Sequence, residues 1–276
     1  MNVLVLGCKG MAGHVIYKDL KEAGHTVRGT SRYANSFDDK DVIFFDALQR
    51  DSWDAFFEEN KVDVVINCIG MLVAACESSP SRAIIVNTLL PKYLEQRYST
   101  TSTRVIHIST DCVFSGDKGA YSILDMPDEV NIYGLTKAAG EIKNEKDLTI
   151  RTSIIGLELS EKPNASDNSG LLHWFLSNEK DSTIQGYAKC YWSGISTIEL
   201  SDYICKNLFS DSGVIQLCRV AKISKLDLLE LANEVFDAKI TITPDSKKHI
   251  DKSLVPTHIV DKSYKNMLSE IRDYGS

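Results

Sequence analysis

The segment Gly7-Cys8-Lys9-Gly10-Met11-Ala12-Gly13 stands between an apolar run, Val3 to Leu6, and a helical pattern, Ala12 to Ala23. Glycines three apart at a strand-to-helix junction let the backbone turn tightly and approach a pyrophosphate, whose charge then rests at a helix N-terminus. A turn of this kind opens a dinucleotide-binding βαβ unit. Gly7, Gly10, Met11 and Gly13 are therefore candidate cofactor contacts.

The chain beyond this turn alternates in the same way. Thr26 to Gly29, Val42 to Phe45, Val62 to Cys68, Arg104 to Ser109 and Leu148 to Thr152 read as strands. Ser52 to Glu59 and Arg82 to Gln96 read as helices between them, with Pro91 expected to kink or divide the second. Continuous apolar strands alternating with helices predict a parallel sheet covered on both faces, here a Rossmann-type doubly wound α/β fold. After about residue 155 the pattern changes. Glu158 to Gly170 is polar and turn-rich and predicts a mobile loop. Helices are expected at Leu171 to Leu176, Ile198 to Phe209 and Lys225 to Phe236, with short strands at Thr183 to Gln185, Val214 to Leu217 and Ile240 to Thr243. The tail beyond Asp245 yields no assignment. The expected division is a cofactor-binding Rossmann domain over 1–157 and a smaller mixed α/β substrate lobe over 158–276, with some of its segments returning to the first sheet.

Composition narrows the partners. Thirty-one basic against 38 acidic side chains give a net charge of −7, which disfavours nucleic acid as a partner of the whole surface. No stretch reaches the roughly 18 apolar residues of a membrane span, and no basic leader precedes the first strand. The seven cysteines show no CxxC and no paired spacing, as expected of reduced thiols in the cytoplasm. Cys68, Cys190, Cys205 and Cys218 lie in apolar runs and read as core thiols. The six histidines form no HxxxH or Cys/His pair, so no metal site is expected.

The cofactor can be narrowed further. An NAD site wants an acid at the end of the second strand, about 20 residues past the glycines, to bond the ribose hydroxyls. Here the stretch is Val27-Arg28-Gly29-Thr30-Ser31-Arg32, and no acid occurs between Glu22 and Asp38. Hydroxyls with Arg32 suit a 2′-phosphate, because a guanidinium can pair with it bidentately. NADP is the expectation, with Ser31 and Arg32 as its readers. Asp46, after the third strand, either caps the adenine edge or is a plain turn aspartate.

Two YxxxK patterns occur. On a helix, i and i+4 share one face, and an ammonium beside a phenol stabilises phenolate, making a usable proton donor or acceptor. Tyr17 to Lys21 lies on the first helix and reads as surface. Tyr133 to Lys137 follows the fifth strand, where a helix would run beside the nicotinamide. That strand ends in Ser109-Thr110-Asp111 at the carboxyl edge of the sheet, where ligands bind in this architecture. Thr110, Tyr133 and Lys137 are thus the catalytic candidates.

Taken together, these residues resemble the extended short-chain dehydrogenase/reductases, and within them the dTDP-4-dehydrorhamnose reductase group of nucleotide-sugar reductases. The resemblance rests on GCKGMAG, Asn67-Cys-Ile-Gly70, Cys76-Glu77, Asn87 in VNTLLP, STDCVFSGDKGAY, IYGLTKAAGE and IRTSIIG. It implies a catalytic hydroxyl at Thr110, the tyrosine at Tyr133, and a lysine at Lys137 that also bonds the nicotinamide ribose. It also implies that Asn67, Gly70 and Asn87 lie along the cofactor, and that Asp111, Cys112, Val113 and Phe114 border the sugar together with Trp192. The group has a tyrosine where this chain has Cys112, and a Gly-x-Pro-Thr element where it has Trp192-Ser-Gly-Ile-Ser-Thr197. Dehydratase relatives carry Thr-Asp-Glu, which Cys112 interrupts. In the GDP-fucose synthase branch a comparable cysteine epimerises with a histidine, for which this chain shows no counterpart.

The expected activity is NADPH-dependent reduction of the C4 keto group of a nucleotide-linked 6-deoxy sugar for surface polysaccharide. An epimerase or epimerase-reductase, and a non-catalytic NADP-binding regulatory subunit, stay open as alternatives. A homodimer is the expected assembly, though no particular residue carries that expectation.

Overall fold

Along the first strand, β1 (Asn2–Leu6), Val3 and Val5 enter one apolar core while Leu4 and Leu6 enter another. A strand can feed two cores only if both faces of its sheet are covered. In a computed structural model, which describes residues 1–33, 39–159 and 170–274, β1 is indeed interior. The excursion expected over Glu158 to Gly170 falls mainly on 160–169, outside the described residues.

The main sheet begins with β1, β2 (Thr26–Ser31), β3 (Val42–Phe44), β4 (Val64–Asn67), β5 (Arg104–Ile108) and β6 (Leu148–Arg151). Then come β7 (Ile154–Ile155), β8 (Thr183–Trp192), β9 (Ile195–Ser196), β10 (Gly213–Cys218), β11 (Ile223–Ser224), β12 (Thr241–Asp251) and β13 (His258–Ile259). Eight of these form one sheet in the order β13-β10-β6-β5-β4-β1-β2-β3, parallel at every pairing. The doubly wound Rossmann expectation holds, and β10 and β13 extend the sheet beyond β6. A second sheet, β11-β8-β12, is mixed: β8 runs parallel to β12 and antiparallel to β11.

Helices α1 (Gly13–Glu22), α2 (Trp53–Glu59), α3 (Val73–Ser78), α4 (Pro80–Ala83), α5 (Leu90–Tyr98), α6 (Ile132–Gly140), α7 (Leu171–Leu176), α8 (Thr197–Lys206), α9 (Lys225–Phe236) and α10 (Tyr264–Tyr274) complete the fold. α1 and α8 bring Ile16, Leu20, Leu200 and Ile204 to one face of the main sheet; α2 and α5 bring Phe57, Leu90 and Leu94 to the other. A third core, built by α7, α9 and α10, encloses Trp192.

Between α4 and α5 the helix widens into a π-helical stretch, Ile84–Leu89, just before Pro91. Proline cannot bond the carbonyl four residues back, that of Asn87. There α6 comes so close that a Cβ on Gly140 would lie 2.0 Å from the Asn87 oxygen. Thr88 Oγ1 donates to the Thr136 carbonyl at 2.7 Å and pins the two helices together.

Both long strands of the second sheet exceed the sequence expectation, which ended β8 at Gln185 and confined β12 to four residues. Their extensions carry Gly186, Pro244 and a run of exposed polar groups, and β12 shifts register between Asp245 and His249. Pairing with a neighbour holds them extended, and no apolar alternation announces it. α8 stops at Lys206 rather than Phe209 and starts at a capping box of Ser196 and Glu199.

Candidate active site

Gly7 has φ +78°, in the left-handed region that favours glycine. The end of β2 holds this turn: the Gly7 amide donates to Thr30 Oγ1 at 3.1 Å and the Cys8 amide to the Thr30 carbonyl at 3.0 Å. A Cβ at Gly13 would lie 2.1 Å from the Gly7 oxygen, so α1 docks directly on the turn. At Gly10 and Gly70 an added Cβ would meet only one atom each, at 3.3 Å and 3.7 Å. Ala12 supplies no side-chain cap to the first amides of α1. Open glycine faces beside an uncapped helix start fit a pyrophosphate. Met11, half-buried, lies beside Gly170, with its sulfur 3.2 Å from the position of a Cβ there.

Past the turn, Thr30 is fully buried, and its hydroxyl accepts from the Gly7 amide. Ser31 Oγ accepts from the Tyr33 amide at 3.0 Å. Arg32 is exposed, its guanidinium 5.5 Å from the centre of the Tyr33 ring. Asp46 Oδ1 accepts from the Leu48 amide at 3.0 Å, as a turn aspartate does.

At the end of β5, the Ser109 amide bonds the Ile150 carbonyl and the Asp111 amide that of Thr152. Thr110 caps the 3₁₀ turn Asp111–Val113, accepting from the Cys112 amide at 3.1 Å and donating to Asp111 Oδ1 at 3.2 Å. α6 begins at Asn131, whose side chain accepts from the Gly134 amide at 2.8 Å. A Cβ on Gly134 would lie 2.5 Å from the Cys112 carbonyl and 2.2 Å from Glu129 Cγ, so this turn of helix is pressed onto the 3₁₀ turn. That contact sets Tyr133, on the first turn of α6, against the end of β5 and close enough to Thr110 for the two hydroxyls to influence each other.

Lys137, buried one turn further on, donates to the Ile108 carbonyl at 2.7 Å and lies 3.5 Å from His107 Nε2. Burial pushes its amine down to about 8, against the opposing charge of Glu141. Burial raises the Tyr133 phenol above its ordinary value, then the Cys112 thiol raises it further and the Thr110 bond lowers it. This corrects the expectation that Lys137 depresses the phenol, because its ammonium is turned to the Ile108 carbonyl instead. The Cys112 thiol is pushed up to about 12, first by burial and then by Asp111, whose own carboxyl burial raises.

The remaining sequence candidates divide between open and buried positions. Asn67 and Asn87 are fully buried, and their amides are engaged with protein. Asn67 Oδ1 accepts from the Ile69 amide at 3.1 Å; Asn87 brackets Met71, accepting from its amide at 2.8 Å and donating to its carbonyl at 3.1 Å. Val113 and Phe114 are also fully buried, with Phe114 stacked on Tyr121 at 4.2 Å. Trp192 packs in the third core, 5.7 Å from Tyr264. Gly70, Arg32 and Cys112 keep exposed surface. Cys190 and Cys218 are buried while Cys68 and Cys205 are half-buried. Tyr17 is not on the surface as expected: it is 7% exposed, and its hydroxyl donates to Asp39 and accepts from Lys21.

Four further residues stand behind these candidates: His107, Glu141, Glu129 and Lys252. His107 lies under Lys137. Glu141 pairs with Arg151 at 2.6 and 2.7 Å and accepts from Ser109 Oγ at 3.0 Å, tying α6 to β5 and β6. Glu129 accepts from the Val130 and Asn131 amides ahead of α6, and Lys252 donates to it at 2.7 Å. Only His107, a lone polar side chain inside an apolar strand, carried a signal. Among the described residues no group of three His, Cys, Asp or Glu could hold a metal ion, and no helix is long and apolar enough to cross a membrane.

The family model described as RmlD substrate binding domain matches residues 1–165. Among similar proteins, the probable low-salt glycan biosynthesis reductase Agl14 of Haloferax volcanii is 31% identical over 64% of this chain and 60% of its own length. A dTDP-4-dehydrorhamnose reductase of Mycolicibacterium smegmatis is 37% identical over 51% of this chain and 40% of its own length. Methionine adenosyltransferase 2 subunit beta of Xenopus tropicalis is 28% identical over 51% of this chain and 41% of its own length. The chain thus spans between 40% and 60% of these relatives. The fold matches the crystal structure of dTDP-4-dehydrorhamnose reductase from Bacillus anthracis, solved with NADP, at TM-score 0.82 and 18% identity over 100% of this chain and 99% of that one.

Proposed function

The chain belongs to the RmlD substrate binding domain family, and on that premise we propose that it is an NADPH-dependent reductase of the C4 keto group of a nucleotide-linked 6-deoxy sugar. The observation that carries the reading is the convergence of Thr110, Tyr133 and Lys137 at the carboxyl edge of the sheet. The names of two relatives, a glycan biosynthesis reductase and a dTDP-4-dehydrorhamnose reductase, favour surface-polysaccharide sugars.

In this reading residues 1–157 hold the dinucleotide and 158–276 choose the sugar. Gly7, Gly10 and Gly13 receive the pyrophosphate at the start of α1. Arg32 and Ser31 read the 2′-phosphate, and Lys137 donates to the nicotinamide ribose. When bound, the cofactor supplies the hydride for C4. Tyr133 donates the proton to the sugar oxygen, a role suited to a phenol that burial keeps protonated. Thr110 orients that oxygen, and its bonds to Asp111 and the Cys112 amide fix its own position. Asn67 and Asn87 support the cofactor floor through the backbones of Ile69 and Met71. Cys112 shapes the pocket; a thiol pushed up to about 12 is a poor base for removing an α-proton.

The subunit-beta relative favours a second reading, a binding subunit without turnover. NADPH oxidation measured against a panel of 4-keto sugar nucleotides separates the two. Steady consumption supports the reductase; tight binding without consumption on every substrate supports the subunit.

A further inference from the structure

Beneath Lys137 lies a chain of hydrogen bonds whose direction is fixed from its far end. The Ile69 amide can only donate, and it donates to Asn67 Oδ1 at 3.1 Å. The Asn67 amide nitrogen therefore faces His107 Nδ1, at 3.2 Å, and that ring nitrogen must accept. In a neutral imidazole the proton then sits on Nε2, and Nε2 is the atom 3.5 Å from Lys137 Nζ. A neutral amine at Lys137 can accept from Nε2–H while donating to the Ile108 carbonyl at 2.7 Å. An ammonium has no lone pair to accept from Nε2–H and can make only the second of these bonds.

We propose that His107 is a positioning residue for Lys137, held as its Nε2–H tautomer by Asn67, and that it poises Lys137 between ammonium and amine so that the lysine can exchange a proton during turnover. The inference deepens the reductase reading and rests on it for the role of Lys137; the tautomer itself does not depend on that reading. Burial supports it: His107 and Asn67 are fully buried, and His107 is held neutral, its basicity lowered by burial and then by Lys137 and Lys92. The other groups facing Lys137 are Glu141 at the end of α6, Cys68 after β4 and Cys76 on α3. Glu141 favours the ammonium. Of these groups, only His107 presents a donor hydrogen to the nitrogen.

Two measurements on the full chain test this. The first is ¹⁵N NMR of histidine-labelled wild type from pH 5.5 to 8.5, with His107 assigned by its absence in His107→Gln, or by bond-specific labelling if that variant does not fold. The proposal expects one neutral ring carrying its proton on Nε2 throughout; a proton on Nδ1, or titration near 6.5, overturns it. The second is NADPH affinity against pH, by cofactor fluorescence. Wild type should lose affinity with a midpoint near pH 8 as Lys137 gives up its charge. In His107→Gln the amide oxygen can accept from the ammonium, and the midpoint should rise by about one to two pH units. Coincident midpoints overturn the proposal. A protein that binds no NADPH refutes the reductase reading instead, and the NMR result still decides the tautomer.

Discussion

The carbonyl oxygen of Gly7 occupies the space that a side chain at position 13 would need, 2.1 Å from the position of a Cβ there. The first turn of α1 and the glycine turn therefore form one rigid piece. Gly13→Ala must push α1 away from β1, an overpacking that costs about 1–3 kcal/mol. Urea denaturation should show that loss, and NADPH affinity should fall by about tenfold or more, since the amides that receive the pyrophosphate move with the helix. A variant with both values at wild-type level would mean that the turn is not the cofactor cradle.

Arg32 is exposed just past the end of β2, in a stretch of sequence that carries no acid from Ala23 to Phe37. NADPH should bind more tightly than NADH by about 1–3 kcal/mol, the worth of a charge-assisted phosphate contact. Arg32→Ala should remove most of that difference and leave NADH affinity unchanged. Calorimetric titration of both cofactors checks it, and equal affinities in the wild type would refute the phosphate contact.

The two YxxxK tyrosines separate chemistry from stability. Tyr133→Phe removes the proton donor beside Thr110, so turnover should fall by about 10²–10⁴ with cofactor affinity nearly intact. Tyr17→Phe removes a buried hydroxyl that bonds Asp39 and Lys21. It should cost about 1 kcal/mol of stability and leave turnover unchanged. Parallel kinetics and thermal melts on both variants distinguish the roles; equal losses of turnover would place the active site elsewhere.

Cys112 is where reduction and epimerisation-plus-reduction part. Its thiol is pushed up to about 12, so it remains protonated at neutral pH. Incubated in D₂O with a 4-keto sugar nucleotide and NADPH, the enzyme should place no deuterium at C3 or C5. Cys112→Ser should reduce the same substrate within about tenfold of wild type. Enzyme-dependent exchange at either carbon, abolished in Cys112→Ser, would establish the bifunctional chemistry.

The inner strands of the main sheet were readable in the sequence because they are buried on both faces and mostly apolar, as Val64 to Ile66 shows; β13, short and half-exposed at the edge, was not. β8 and β12 were readable only at their first residues, because the rest of each pairs along exposed polar segments whose conformation is set by the neighbouring strand. Thr110, Tyr133 and Lys137 were legible in the sequence because they stand at a strand end and in a YxxxK on the helix that follows it. Their surroundings were less so. Asn87 bonds the Met71 amide and Phe114 stacks on Tyr121, contacts that no local sequence pattern announces. Lys252 reaches the start of α6 from a segment more than a hundred residues away in sequence, and local pattern holds no trace of such a contact. Tyr17 looked superficial because its helix is amphipathic, but its ring lies beneath Gly29, where a Cβ would meet it at 3.0 Å.

On the reductase reading, Tyr133 and Lys137 serve a hydride transfer to C4 of a nucleotide-linked sugar. NADPH carrying deuterium at both C4 positions of the nicotinamide, supplied with a 4-keto-6-deoxy sugar nucleotide, tests this by NMR of the product. Deuterium is expected at the sugar C4, one equivalent per NADPH consumed, with the rate lost in Tyr133→Phe. NADPH bound but never oxidised by any 4-keto sugar nucleotide, or oxidised with no deuterium at C4, would contradict it.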